Sequence, residues 1–220
     1  PYLQRTADRH HGSVADHMEN VSALAISPSK YMDLYLRKYN ENAKRMLTEL
    51  GLKTAPVFFQ GFVDGDAIRF YDPAIRLTGA NFENILKAAT GLDTVKMFVE
   101  YALTGKAGDI DLEHLCKAYL LDGQYAAIVF PMSRGGKIEK VCGITEIEKL
   151  PGFVSAAYRH GEGDTVKETG DVTQRFGEFD FFAPNKEALK NTLKILQEKL
   201  VLLDSNGNDM VISKPDLDEI

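Results

Sequence analysis

The side chains best suited to chemistry lie in the stretch from Gln60 to Gly79. Asp72 stands directly before a proline, and Arg76 follows four residues later. This pair suits phosphoryl transfer, because a carboxylate is a hard oxygen ligand for Mg²⁺ and a guanidinium steadies charge on the moving group. Gln60 offers a neutral oxygen as a further metal ligand. We therefore predict a metal-phosphate site, with a surface ion pair between Asp72 and Arg76 as the structural alternative.

A predicted β-hairpin positions these residues. Apolar runs at 57–59 and 68–71 flank the turn signal Asp64-Gly65. A two-residue loop made of Asp64 and Gly65 places Gln60 and Asp72 on opposite faces of the hairpin, whereas a three-residue loop or an equivalent bulge places them on one face. We expect the three-residue loop or the bulge. Without either, Gln60 is not a metal ligand.

Apolar periodicity along the rest of the chain predicts an α+β fold. A helix is expected over 27–51, with Ser27 as its N-cap and Pro28 at its first position. Shorter helices are expected near 81–90 and after an Asp93 cap, and Asn185 is expected to cap a final helix. The expected strands are 118–121 and 125–130 as a second hairpin, followed by 137–142, 153–158 and 175–182. The small, acidic stretch 106–113 predicts a boundary between units 1–112 and 113–220.

Composition favours small-molecule partners. The formal net charge of the 220 residues is −6 and the basic residues are scattered, so no footprint for nucleic acid or an anionic membrane is present. No apolar run reaches the ~20 residues that span a bilayer, and the N-terminus lacks a signal-peptide pattern. Cys116 and Cys142 show no zinc or disulfide spacing, which favours a reduced cytoplasmic setting. Because the chain begins without methionine and inside a strand pattern, we expect a fragment of a longer protein.

Two further polar stretches are candidate sites. The first contains carboxylates, arginines and histidines, namely Arg5, Asp8, Arg9, His10, His11, Asp16 and His17. Adjacent histidines on a strand point to opposite faces, so a polar strand end is favoured over a metal site, and Arg9 or Arg5 is expected to bind a phosphate or a carboxylate. A metal hydrolase based on the histidines is the least favoured function. The second stretch, Ser133-Arg-Gly-Gly-Lys137, lacks phosphate-loop spacing and is expected to be a turn before a strand.

The order of these features resembles the C-terminal part of an ATP-grasp ligase. This superfamily includes biotin carboxylase, the large chain of carbamoyl-phosphate synthase and amino-acid ligases. The resemblance covers residues 1–112 well and the remainder more weakly. It rests on Asp8-Arg9, Ser27-Pro-Ser-Lys-Tyr31, Leu50-Gly-Leu52, Phe59-Gln-Gly-Phe62, Phe70-Tyr-Asp72, Arg76-Leu-Thr-Gly79 and Thr90-Gly-Leu-Asp93, and then on Gly136-Lys-Ile138, Gly143-Ile-Thr-Glu146, Leu150-Pro-Gly152 and Arg175-Phe-Gly177.

The resemblance implies a fold, a reaction and roles for residues. The fold is a largely antiparallel sheet flanked by helices, followed by a small β-rich domain with a C-terminal helix. The reaction joins a small-molecule carboxylate to an amine or thiol through an acyl phosphate, with ATP and Mg²⁺, or Mn²⁺, as cofactors, and a homodimer is left open. Asp72 bridges the metal, Gln60 is its partner on the preceding strand, Arg76 is the catalytic cation and Arg9 binds the cofactor.

Two departures from the family pattern support a rival function. Gln60 stands where an acidic ligand is common, and Ala74 stands where asparagine is common. Both fit a degenerate module that binds a nucleotide or a partner without catalysis. The nucleotide-holding lysines and glycine-rich loop of the family are expected upstream of residue 1, so the fragment alone is expected to be inactive.

Overall fold

The computed structural model of the chain describes residues 8–10, 21–109, 111, 113, 117–212 and 214–220. The strands in chain order are β1 Asp8–His10, β2 Leu24–Ser27, β3 Phe58–Asp64, β4 Ala67–Ala74, β5 Tyr125–Val129, β6 Gly136–Lys137, β7 Lys140–Cys142, β8 Phe153–Tyr158, β9 Thr165–Val166, β10 Gly177–Ala183 and β11 Val201–Leu203. The α-helices are α1 Met32–Lys38, α2 Asn40–Glu49, α3 Phe82–Thr90, α4 Thr94–Thr104, α5 Ile144–Ile147 and α6 Lys186–Lys199. Short 3-10 helices lie at Ala118–Gly123, Val172–Gln174 and Leu217–Glu219.

A five-stranded antiparallel sheet with the order β1-β2-β5-β10-β8 carries the core. Helix α6 covers one face and α3 covers the other, so the central strands are apolar on both sides. The α6 side buries Leu24, Ile26, Ala127, Val129, Phe179, Phe181, Leu189, Leu193 and Leu196. The α3 side buries Ala25, Ala126, Ile128, Phe130, Phe82, Ile85, Leu86 and Leu121.

Helices combined with antiparallel sheets confirm the predicted mixed α and β class. The five-stranded sheet draws β1 and β2 from one side of the expected boundary at residue 112 and β5, β8 and β10 from the other. One sheet therefore contains strands from both expected units. The division into 1–112 and 113–220 stays a prediction.

The single helix predicted over 27–51 was wrong. Ser27 ends β2, where it pairs with Ala126, and helix α1 begins only at Met32. The helical path then breaks at Tyr39, which has a φ of −123° and separates α1 from α2. The Tyr39 hydroxyl accepts a hydrogen bond of 2.8 Å from the backbone N–H of Ile68 in β4. A strand pairing and a contact with the hairpin thus divide the predicted helix.

The second hairpin, predicted from 118–121 and 125–130, was also wrong. Residues Ala118–Gly123 form a 3-10 helix, because Ala118 and Leu121 are buried against α3 and the backbone turns left-handed at Leu121, whose φ is 48°. Strand β5 pairs instead with β2 and β10.

Two of the three predicted helix caps, Asp93 and Asn185, were confirmed. The Asp93 side chain accepts from the backbone N–H of Lys96 at 2.9 Å at the start of α4. The Asn185 side chain accepts from that of Ala188 at 2.9 Å at the start of α6. Both residues therefore cap the helices that follow them, as predicted.

Candidate metal and phosphate site

The hairpin of β3 and β4 is closed by a loop of two residues, Gly65 and Asp66. Asp64 pairs with Ala67, and Gly65 has a φ of 58° at the first loop position, where a type II′ turn needs a positive φ. The three-residue loop was therefore wrong. Continued without interruption, this register would pair Gln60 with the residue before Asp72 and leave the two side chains on opposite faces.

A β-bulge corrects the register and confirms the alternative expectation. Gly61 pairs with Phe70, whereas Gln60 pairs with Asp72, so Tyr71 is an extra residue in β4. Gln60 and Asp72 thus stand directly opposite each other on one face of the hairpin. The bulge needs glycine at position 61, because a Cβ there would lie 2.8 Å from Cγ2 of Ile68 and 3.1 Å from a backbone carbonyl of β4.

Tyr71 is a further residue of the candidate site, and the sequence did not predict it. Its hydroxyl donates a hydrogen bond of 2.7 Å to Oε1 of Gln60. Its ring stacks on Phe62, with centroids 4.8 Å apart and planes at 21°. Without the bulge, Tyr71 would not share a face with Asp72. The one signal in the sequence for this arrangement was a glycine, Gly61, opposite an aromatic stretch of the second strand that includes Tyr71.

The opposite face of the hairpin packs on α1 and on Tyr39, the residue between α1 and α2. The Phe70 ring meets Tyr39 at a centroid distance of 5.4 Å, Tyr35 at 6.4 Å and Phe59 at 5.8 Å. Lys38 adds a hydrogen bond of 2.8 Å to the backbone carbonyl of Asp66. Aromatic packing on one face therefore anchors the hairpin and directs the face with Gln60 away from the helices.

Asp72 and Arg76 do not form the local ion pair that was the structural alternative. Among the residues that the structure describes, the half-buried Asp72 carboxylate has neither a hydrogen-bond nor an ion-pair partner. Arg76 donates from Nη1 to the carbonyl of Leu77 at 2.9 Å, and its Cζ lies 4.4 Å from the ring centroid of Phe58. Phe58 pairs with Ala74, on the same face as the Gln60–Asp72 pair. The hairpin thus brings the carboxylate, the amide and the guanidinium to one face.

The segment after Arg76 is bonded to the central sheet. Thr78 donates from Oγ1 to the carbonyl of Ala80 at 3.0 Å and to Oε1 of Glu83 at 3.4 Å. The Asn81 amide donates to the carboxylate of Glu178 in β10. Burial raises the pKa of Glu178, while a hydrogen bond from the backbone of Asn81 and the charges of Arg159 and Arg175 oppose the rise. Side-chain contacts with the sheet therefore fix the residues that follow the candidate cation.

The remaining predicted site residues are not assembled with the hairpin in the described part of the chain. Arg9 lies in β1 and pairs with Ala25, and only the backbone of that strand is described. His10 belongs to the same strand, and the rest of that cluster, Arg5, His11, Asp16 and His17, lies outside the described residues. Within the described ranges, no three His, Cys, Asp or Glu side chains are grouped to hold a metal. The roles of Arg9 and of the rest of the N-terminal cluster stay predictions.

The stretch 133–137 follows its expected structure only in part: Ser133 pairs with Val211 in an isolated bridge, and the chain bends at Gly135 instead of forming a turn. Strand β6 begins at Gly136, as expected. The backbone N–H of Gly135 donates to the carboxylate of Glu168. A carboxylate of the chain itself thus takes the donor that a phosphate loop would offer to a ligand.

Comparison with solved structures shows the fold of ATP-grasp ligases. The L-amino acid ligase of Bacillus licheniformis matches with a TM-score of 0.70 and 15% identity over 84% of this chain and 45% of that one. The phosphoribosylglycinamide synthetase of Anaerococcus prevotii matches with a TM-score of 0.66 and 11% identity over 93% and 55%. The biotin carboxylase domain of the Hydrogenobacter thermophilus 2-oxoglutarate carboxylase matches with a TM-score of 0.57 and 14% identity over 85% and 40%.

The chain spans about half the length of these structures. No family model and no curated protein sequence matches it. In the described part of the chain, no helix has the length and apolar character to cross a bilayer.

Proposed function

We propose that this chain carries the metal-phosphate half of the active site of an ATP-dependent carboxylate–amine or carboxylate–thiol ligase. The observation that carries the proposal is the bulge in β4, which sets Gln60 opposite Asp72 on the face over which Arg76 lies. The likeness of the fold to ATP-grasp ligases supports it. In the proposed reaction, ATP phosphorylates a substrate carboxylate, and a nucleophile then displaces phosphate from the acyl phosphate.

The donor set fits a divalent cation that arrives with a nucleotide. Asp72 supplies a carboxylate and Gln60 an amide oxygen, and both are half-buried. Mg²⁺ in proteins is usually held by one or two carboxylates together with substrate phosphates, and Mn²⁺ accepts the same oxygen donors. When bound, such a metal would neutralise charge on the phosphates. The Hydrogenobacter thermophilus domain was solved with MgADP and bicarbonate, which motivates the choice of cofactor.

Each residue of the chain has a distinct role in this proposal. Asp72 and Gln60 hold the metal, and the Tyr71 hydroxyl orients the Gln60 amide. Arg76 places a permanent positive charge beside the transferring phosphoryl group, because a guanidinium stays protonated and matches phosphate oxygens in pairs. Arg9 binds a phosphate or a carboxylate from β1. We further propose a reduced, cytoplasmic setting and a division of the site with residues outside this chain.

A second candidate function follows from the weak donor set. Ala74 supplies no ligand, and Oε1 of Gln60 already accepts from Tyr71. A site with one carboxylate and an engaged amide also fits a module that binds nucleotide without turnover. Release of ADP distinguishes the two functions, since the module binds Mg²⁺ and ATP without producing ADP.

Calorimetric titration of the complete protein with Mg²⁺ and a non-hydrolysable ATP analogue tests the site. We expect Asp72→Asn to weaken binding by roughly tenfold or more, because it removes the only charged metal ligand. Asp64→Asn is the matched control: this exposed aspartate lies on the same face of β3, 2.8 Å from Arg69, and its loss should leave binding unchanged. Equal binding by both variants would contradict the assignment.

Turnover by the complete protein tests the reaction. Asp72→Ala and Arg76→Ala should each abolish ADP release in the presence of the carboxylate substrate. Retained release by both variants would show that the chemistry lies elsewhere. Tight binding of Mg²⁺ and ATP without ADP release by the unmodified protein would favour the non-catalytic module.

A further inference from the structure

A buried carboxylate without a cation lies between α3 and the central sheet. Asp180 in β10 is 0% exposed, and its Oδ1 has no hydrogen-bond partner among the described residues. Its Oδ2 accepts a hydrogen bond of 2.5 Å from Ser155, its cross-strand neighbour in β8. The Ser155 hydroxyl in turn accepts from the side-chain amide of Asn84 in α3, at 3.2 Å. A chain of polar contacts thus runs from the sheet to the helix.

Two further acids share this region. Glu178 precedes Asp180 by two residues on the same face of β10, and Glu83 lies in the first turn of α3; each is 8% exposed. A negative charge on either one disfavours a charge on Asp180. Two arginines, Arg159 and Arg175, act on Glu178 and favour its charged form. Burial therefore raises the pKa of Asp180 to about 7, although the hydrogen bond from Ser155 opposes the rise.

The start of α3 is held by this acidic region. Asn81 occupies the N-cap position, where its side chain would ordinarily accept from the helix backbone, yet it makes no capping hydrogen bond. Its amide donates to Glu178 instead. Asn84, one turn later, donates to Ser155. Both contacts join the sheet to the segment that begins directly after Arg76.

We propose that the contacts of Asn81 and Asn84 with the Glu178–Ser155–Asp180 group form an acid-dependent latch, which holds the start of α3, and through it Arg76, against the sheet. While Asp180 is neutral, this buried region of low dielectric constant carries one negative charge fewer than when Asp180 is ionised. When Asp180 ionises, Glu178 and Glu83 repel its charge. Entry of water between α3 and the sheet, with release of the start of α3, relieves this repulsion. These are positioning residues, and the value of the latch to catalysis rests on the proposed function of Arg76.

Hydrogen–deuterium exchange of the amides of residues 78–90, without nucleotide and corrected for intrinsic rates, tests the latch. Between about pH 6 and about pH 8, protection in the unmodified protein should fall roughly tenfold, and Asp180→Asn should abolish this change. Asp171→Asn is the matched control, because Asp171 is an exposed aspartate whose hydrogen bonds are with Thr169 and Thr173. An unchanged pH dependence in Asp180→Asn would overturn the proposal.

A second variant keeps the test decisive if Asp180→Asn does not fold. Glu178→Gln removes one neighbouring charge and keeps an oxygen that can accept from Asn81. Because the charge of Glu178 raises the pKa of Asp180, this variant should shift the loss of protection to lower pH, and an unshifted transition would overturn the latch. Because exchange is measured on the protein without ligand, its result is independent of nucleotide binding. Failure of the latch and failure of the proposed site are therefore separate outcomes.

Discussion

Replacing Gly61 by alanine tests whether the bulge shapes the site. The added Cβ would lie 2.8 Å from Cγ2 of Ile68, 3.3 Å from the Phe70 ring and 3.1 Å from the carbonyl of Arg69. The two side chains can move, but the carbonyl belongs to the opposing backbone. Overpacking of this kind costs about 1–3 kcal/mol, and the ordinary gain from replacing a strand glycine is about 0.5–1 kcal/mol. We expect a net loss of about 1–2 kcal/mol in the free energy of unfolding.

Urea unfolding of Gly61→Ala measures this loss, and titration with Mg²⁺ and an ATP analogue measures its effect on the site. Affinity should fall along with stability, because a shifted bulge moves Asp72 relative to Gln60. Gly79→Ala is the control, since a Cβ at Gly79 meets nothing within 4 Å. If Gly61→Ala is as stable as Gly79→Ala and binds as tightly as the unmodified protein, the reasoning about the bulge is refuted.

Three further predictions address charge, orientation and packing. Folding raises the pKa of Asp180 from 3.8 to about 7. The neutral carboxyl group therefore stabilises the fold by about 4 kcal/mol below about pH 4, and this contribution is lost as the pH rises through 7. The free energy of unfolding of Asp180→Asn, measured against pH, should not show that loss. Tyr71→Phe keeps the stacked ring but removes the hydroxyl from Gln60, so nucleotide binding should need roughly tenfold more Mg²⁺, while unchanged Mg²⁺ dependence would remove the orienting role. Phe179→Ala empties a 0% exposed position and should cost about 3–5 kcal/mol in thermal unfolding, whereas Leu103→Ala, at 80% exposure, should cost little.

Local signals in the sequence predicted much of the fold. Asp93 and Asn185 cap helices because a cap needs only a side-chain oxygen and a backbone N–H that lies a few residues later in the chain. The hairpin of β3 and β4 was predicted for the same reason, since its strands and turn are contiguous. Interactions over this range leave a direct trace in residue type and spacing.

Interactions between distant segments left no such trace. The helix predicted over 27–51 breaks where Tyr39 bonds to β4, 29 residues away. The strand predicted at 118–121 is a 3-10 helix because Leu121 packs beneath α3. The order of the five-stranded sheet likewise depends on pairings between remote strands.

The candidate site shows the same division. Asp72, Arg76 and Gln60 were identified by type and spacing, and the structure brings them to one face. The form of the turn was not predictable, because two alternatives fitted the same residues. Tyr71 was missed, since its place in the site depends on an extra residue in β4 opposite Gly61.

Pulsed electron paramagnetic resonance of Mn²⁺ with ADP tests the central claim most directly. The protein is labelled with ¹³C in its aspartate carboxyl groups, and the coupling of ¹³C to the bound metal is measured. We expect a coupling in the unmodified protein and in Asp64→Asn, and its loss in Asp72→Asn. A coupling that persists unchanged in Asp72→Asn would contradict the assignment of Asp72 as the metal ligand.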